Sequence, residues 1–160
     1  MSGTGIGASV KRKEDHRFIT GKGHYTDDHA RPDQVVAHFV RSPHAHAKLM
    51  KIDIAAASKM PGVIAIYTGE QFAADKLGPL ICGWMVNSKD GSPMKMAPHP
   101  ALAAGKVSHV GDAYAVVIAE TLAQAKDAAE KIVTDFELLP AIIDPAQAQP
   151  DLTRLVEVAG

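Results

Sequence analysis

A chain of 160 residues with one cysteine and a formal net charge of −1 suits a single domain able to bury roughly two-thirds of its unfolded surface. The near-neutral balance leaves no electrostatic footprint for nucleic acid or an anionic membrane. Cys82, standing alone, excludes an internal disulfide framework and any cysteine-held zinc or iron–sulfur centre.

Hydrophobic residues make up 46% but aromatics only 5%, so the core must rest on Val, Ile, Leu and Ala. The first twenty residues lack an apolar signal-peptide core, and no apolar run is long enough to span a bilayer. A cytoplasmic, soluble chain is the expectation.

Residues 1–32 are rich in glycine and charge without a sustained period, which predicts an extended arm with turns. Within it, Gly21 and Gly23 predict a tight turn before a short strand at His24–Thr26. Gln34–Val40 is apolar on both alternating faces, as in a strand covered on both sides. A second strand is predicted at Lys48–Ile52. Asp53 is a good N-cap for a helix through Ala55, Ala56 and Ala57 that Pro61-Gly62 would stop. Val63–Tyr67 then reads as a buried strand, and Thr68 with Gln71 as a capping box for a short helix around Gly69–Ala74.

Between Lys76 and Ala101, the density of Gly and Pro rules out long regular elements. A loop of that length is more often functional or partner-covered than ornamental, and its Trp84, Met85, Met94 and Met96 need cover. Order returns with strands at Lys106–Ser108 and Tyr114–Ala119 around a turn at Gly111-Asp112. Thr121 and Gln124 form a second capping box, and Leu122, Ala125, Ala128, Ala129 and Ile132 recur at helical spacing. Val133–Leu138 closes the pattern as a strand. The result is α+β: a mixed sheet built from two strand–strand–helix–strand halves.

Chemistry-bearing motifs are sparse. Gly3-Thr4-Gly5-Ile6-Gly7-Ala8 satisfies the dinucleotide fingerprint in letters, yet no strand precedes it and no helix convincingly follows, so it is rejected. His44 and His46 stand at i and i+2 and would share a face in extended chain, with His38 and His99 as further metal-ligand candidates. A metal site needs three or four ligands and a supporting shell, and Pro43 predicts a turn, so structural or interface histidines are favoured. Neither Cys82 nor Ser42 has the local environment of a nucleophile.

Read as an ordered series, several runs are more informative. They are Arg12–Phe18, Thr20–Asp28, Arg41-Ser42-Pro43-His44-Ala45-His46-Ala47, Ile52-Asp53, Met60–Val63, His99–Ala103, Val110-Gly111-Asp112 and Ala119–Thr121. In this order and spacing the chain resembles the amino-terminal domain of molybdenum hydroxylase large subunits. That family includes xanthine dehydrogenase, aldehyde oxidase and aerobic carbon monoxide dehydrogenase, and the His99–Ala103 run is most similar to the carbon monoxide branch. The resemblance covers roughly residues 7–146.

It implies an alpha/beta hammerhead domain at 33–146, with the 1–32 arm as part of it and 147–160 as a tail outside the family pattern. By the same resemblance the complete enzyme binds molybdopterin and passes electrons through iron–sulfur and flavin subunits. No cofactor-binding segment of the family is matched here, so the expected role is non-catalytic: structure and subunit assembly within an oxidoreductase, with this chain inactive alone. Its partners would be the remaining molybdenum-binding portion of the large subunit and the iron–sulfur and flavin subunits, and the isolated chain should self-associate. Candidate interface or architectural residues are Arg41, Ser42, Pro43, His44, His46, Trp84 and Gly111; catalytic, cofactor and metal residues are none. Two other readings stand beside this one: a stand-alone binding module using the Trp- and Met-rich 76–101 loop, and a small His-dependent metal protein.

Overall fold

In a computed structural model, which describes residues 5–7, 11–81, 83, 86–87, 89–94 and 98–144, the chain divides after Gln34 into two compact units. The tail at 147–160 and the Gly3–Gly7 motif's first two residues lie outside the described residues.

The first unit is not purely extended. Helix α1 (Asp15–Ile19) forms with Asp15 in its first turn, where the Arg12 Nε donates to Asp15 Oδ1 at 3.1 Å. Thr20 ends it by donating its hydroxyl to the His16 carbonyl at 2.6 Å. Phe18 stacks on Tyr25 at 5.5 Å between ring centroids, and any Cβ at Gly23 would run into the Phe18 ring. The strand expected at His24–Thr26 is replaced by a 3-10 turn, Thr26–Asp28. Its cause is local: the Asp28 carboxylate accepts the Tyr25 N–H at 2.8 Å, and such side-chain capture competes with a sheet ladder.

Among the described residues, six strands build the second unit. The first sheet has the order β1 (Val36–Arg41), β5 (Ala113–Ala119), β3 (Val63–Thr68), and the second β4 (Lys106–Val107), β2 (Ala47–Asp53), β6 (Val133–Leu138). All pairings are antiparallel. The α+β class is therefore present, with the strands in two antiparallel sheets; the second half runs strand–strand–helix–strand, whereas the first has only a 3-10 turn (Ala57–Lys59) between β2 and β3. Each half contributes to both sheets, because β1 and β2 part company at the bend between them and never pair. That exchange makes every strand pairing long-range.

β5 is the spine of the first sheet, with Tyr114, Ala115, Val116, Val117 and Ala119 buried. Helix α3 (Leu122–Ala129) packs across β1, β5 and β3. Its fully buried Ala125 and Ala128 join Val117, Ala119, Ile66 and Ala57 in one core cluster. Small residues on the helix let its axis approach the sheet closely. Thr121 caps α3 by accepting the Gln124 N–H at 3.3 Å. The box is not fully reciprocal, since the Thr121 hydroxyl turns to donate to Gln124 Oε1. Helix α2 (Gly69–Ala74) shows the reciprocal arm expected of it, with Gln71 Oε1 accepting the Thr68 N–H at 2.8 Å. Gly69 is required there. A Cβ at that position would collide with the Ala103 carbonyl.

Two expectations fail for identifiable reasons. β1 is covered on one face only: Val36, His38 and Val40 are half-buried beneath α3, whereas Ala37, Phe39 and Arg41 are exposed. The helix predicted after Asp53 shrinks to a 3-10 turn at Ala57–Lys59, because Asp53 Oδ1 accepts the Ala55 N–H at 3.0 Å in a turn, not in a helix cap. The second core cluster joins the sheets, with Ala47, Leu49, Val107, Tyr114 and Ala115 buried against Val40, Ile52 and Phe136.

Candidate functional site: the Arg41–Ala47 turn and its partners

Residues 43–46 form a continuous bend between β1 and β2, so His44 and His46 do not lie along an extended segment. Ser42 is the pivot. It is buried, and its Oγ accepts the His44 N–H and donates to the His44 carbonyl, both at 3.0 Å. This closes the turn around Pro43, which is exposed.

The turn is then tied to the 110–112 turn seventy residues later. Ser42 N donates to Asp112 O at 2.9 Å, and Gly111 N donates to Ser42 O at 2.8 Å. Arg41 Nη1 adds a third link, donating to Gly111 O at 2.9 Å. Gly111 has a φ of +88°, in the left-handed region where a side chain is strained, which is the physical reason for glycine at this position. Asp112, not singled out as a candidate by the sequence, holds the 110–112 turn through its Oδ2, which accepts the Ser108 N–H at 2.9 Å.

The histidines face different neighbours. His44 packs edge-on against Phe136 at 4.8 Å, and Phe136 packs edge-on against Tyr114 at 5.8 Å. Tyr114 is buried, and its hydroxyl accepts from Thr134 Oγ1 at 3.2 Å. His46 Nδ1 lies 2.7 Å from Pro140 O; a carbonyl only accepts, so Nδ1 is the protonated ring nitrogen. Leu139 N donates back to His46 O at 3.0 Å. Together these contacts clamp the chain leaving β6 onto the turn. Among the described residues no group of three or more His, Cys, Asp or Glu is arranged to hold a metal ion.

So the structure brings Arg41, Ser42, His44, His46 and Gly111 into one cross-linked corner where both sheets meet. Trp84, with Cys82, Met85 and Met96, lies outside the described residues. Elsewhere in that loop Met94 N donates to Val86 O at 3.0 Å, and Leu80 N to His99 O at 2.8 Å. The roles of Phe136 and Pro140 escaped sequence reasoning, because each acts through a contact more than ninety residues from the turn, and that of Asp112 because its backbone bond to Ser42 spans seventy.

An α+β domain with two interleaved antiparallel sheets, locked at this corner, defines a hammerhead-type architecture. The family model described as "Aldehyde oxidase and xanthine dehydrogenase, a/b hammerhead domain" matches residues 20–140, and the chain belongs to that family. It is 39% identical over 154 residues to the carbon monoxide dehydrogenase large chain of Afipia carboxidovorans, covering 96% of this chain and 18% of that one. Against the xanthine dehydrogenase molybdenum-binding subunit of Escherichia coli O157:H7 it is 33% identical over 132 residues, 81% of this chain and 17% of the relative. The crystal structure of quinoline 2-oxidoreductase from Pseudomonas putida 86 superposes with a TM-score of 0.79 at 36% identity, covering 90% of this chain and 18% of that one. The chain thus spans less than a fifth of the length of these relatives. It corresponds to one domain of the molybdenum hydroxylase and carbon monoxide dehydrogenase-type large chains.

Proposed function

We propose that this domain serves structure and subunit assembly in a molybdopterin-dependent oxidoreductase and contributes no catalytic group. The observation that carries the reading is where the polar motif spends its hydrogen bonds. The Ser42 hydroxyl, the His44 backbone, His46 Nδ1 and the Gly111 backbone all bond within the corner or to neighbouring backbone, and the His44 ring packs on Phe136, which is what a corner needs. Sites that bind cofactors occupy roughly 300–1,000 Å³. Two cavities among the described residues measure about 160 and 120 Å³, and neither has room for molybdopterin. No chemical step is assigned to these residues through that group.

Assembly is supported by the length of the relatives and by the exposed apolar side chains of the first sheet, Phe39 and Tyr67 among them. The partners, on this reading, are the molybdenum-binding remainder of a large subunit and its iron–sulfur and flavin companions.

Elemental analysis and turnover assays on the purified 160-residue chain and its His44→Ala/His46→Ala variant test the reading. The chain should carry no stoichiometric molybdenum and oxidise neither aldehyde, purine nor carbon monoxide. Stoichiometric molybdopterin, or a zinc or nickel ion bound one-to-one and lost in the double variant, would overturn it.

A further inference from the structure

The face of the first sheet turned away from α3 ends in a cavity of about 160 Å³ whose walls include Phe39, Arg41, Leu80, His99, His109 and Asp112. Its open charge is the Arg41 guanidinium. The ion pairs among the described residues do not include Arg41, whose one protein acceptor is the neutral Gly111 carbonyl. A guanidinium carries five N–H donors in a fork that matches a carboxylate, so most of its capacity remains uncommitted. The imidazoles of His99 and His109 stack beside it with centroids 6.2 Å apart. Asp112, the carboxylate on this wall, is only 13% exposed and is turned to the Ser108 N–H and, at 3.7 Å, to His109 Nδ1, away from Arg41, which leaves the Arg41 guanidinium as the charge open to a ligand.

Beyond the shared wall of Pro100 and Ala101 lies the second cavity, about 120 Å³, lined by Phe72, Leu77 and Leu102. A basic slot and an apolar slot therefore stand side by side. The apolar surface continues around them: Phe39, Tyr67 and Leu80 are 43%, 44% and 60% exposed.

We propose that this double slot receives an acidic–apolar segment from the rest of the large subunit, a Glu or Asp carboxylate entering beside Arg41 and an apolar neighbour filling the second slot. The inference rests on the assembly role proposed above and names the chemistry of the partner at one surface. A free small anion would use the basic slot and leave the apolar one empty, whereas a peptide segment satisfies both. The relatives carry more than four-fifths of their length outside the matched region, which makes the same chain the nearest source of such a segment.

The test is carbodiimide coupling in the assembled enzyme, using Arg41→Lys to place a primary amine at the slot while keeping its charge. Mass spectrometry should find an amide between position 41 and an Asp or Glu of the large subunit outside residues 1–160. Its yield should fall at least tenfold in the parent protein and in Arg41→Gln, which lack that amine. Gel filtration of the same sample separates the two levels of inference. An assembled enzyme with no cross-link, or one to Asp112 alone, overturns the carboxylate docking and leaves the assembly role standing; failure of the wild-type domain to assemble overturns both. A cross-link to another subunit or to a second copy contradicts the assigned occupant. Suppression of the cross-link by millimolar succinate or phosphate, with assembly unchanged, would reassign the slot to a free anion.

Discussion

The two faces of the first sheet carry similar residues and meet different fates. Beneath α3, Val117 and Ala119 on β5 are fully buried and Val40, Val63 and Ile66 pack with them. Opposite them, Phe39, Val116 and Tyr67 align across the three strands in register, as do Ala37, Ile118 and Ala65. That second row is as apolar as the first, yet Phe39 and Tyr67 remain exposed. An antiparallel sheet can leave one face to solvent, but that face is then polar; an apolar second face beside a single covering helix is a surface that invites a partner. The lesson is that the sequence of β1 encodes two covers, of which α3 is one.

The contrast breaks first at the covered face. Ala128→Leu adds three carbons where exposure is 0%, and overpacking a helix–sheet contact of this kind should cost about 1–3 kcal/mol in urea denaturation. On the open face, Phe39→Ser should change the stability of the dilute isolated chain by no more than about 0.5 kcal/mol, as surface substitutions do. The same change should raise its monomeric fraction at high concentration. Equal costs on the two faces would show that Phe39 is already covered within the chain.

A smaller effect separates the turns from the sheets. The Asp53 carboxyl is held below its usual range by the hydrogen bond from the Ala55 N–H and then by Lys51, 3.4 Å away. Because the folded value is depressed, its contribution is present above the unfolded pKa of about 3.9 and is lost as pH falls through the folded value. Asp53→Asn should therefore lower neutral-pH stability slightly, toward the value wild type has in acid, and flatten the fall in stability below about pH 4. An unchanged acid limb would contradict the assignment.

Legibility in the sequence followed the range of the interaction. The start of α3 and both ends of β6 are read to the residue, because Thr121 marks the first and Pro140 follows the second closely, whereas α3 stops at Ala129, short of the Ile132 in the helical pattern. The Thr68–Gln71 arm is equally local. Asp28 and Asp53 misled because each competes for nearby backbone N–H groups and so trades a strand or a helix for a turn. The division into two sheets was illegible: it depends on β1 and β2 choosing β5 and β6 as partners, and period-2 patterning names a face without naming a neighbour. At the corner, Arg41, Ser42 and Gly111 were visible as separate motifs, but the hydrogen bonds joining them span about seventy residues. The charged slot was missed for the same reason, since His99, His109 and Arg41 meet only in three dimensions.

Solvent footprinting of Phe39 and Tyr67 tests the central claim most directly. Hydroxyl-radical oxidation of both side chains should be fast in the isolated chain and suppressed at least fivefold in the assembled enzyme, with the already buried Tyr114 slow in both. Equal oxidation of Phe39 and Tyr67 in the two states would show that the open face is left bare, and the assembly account would fall.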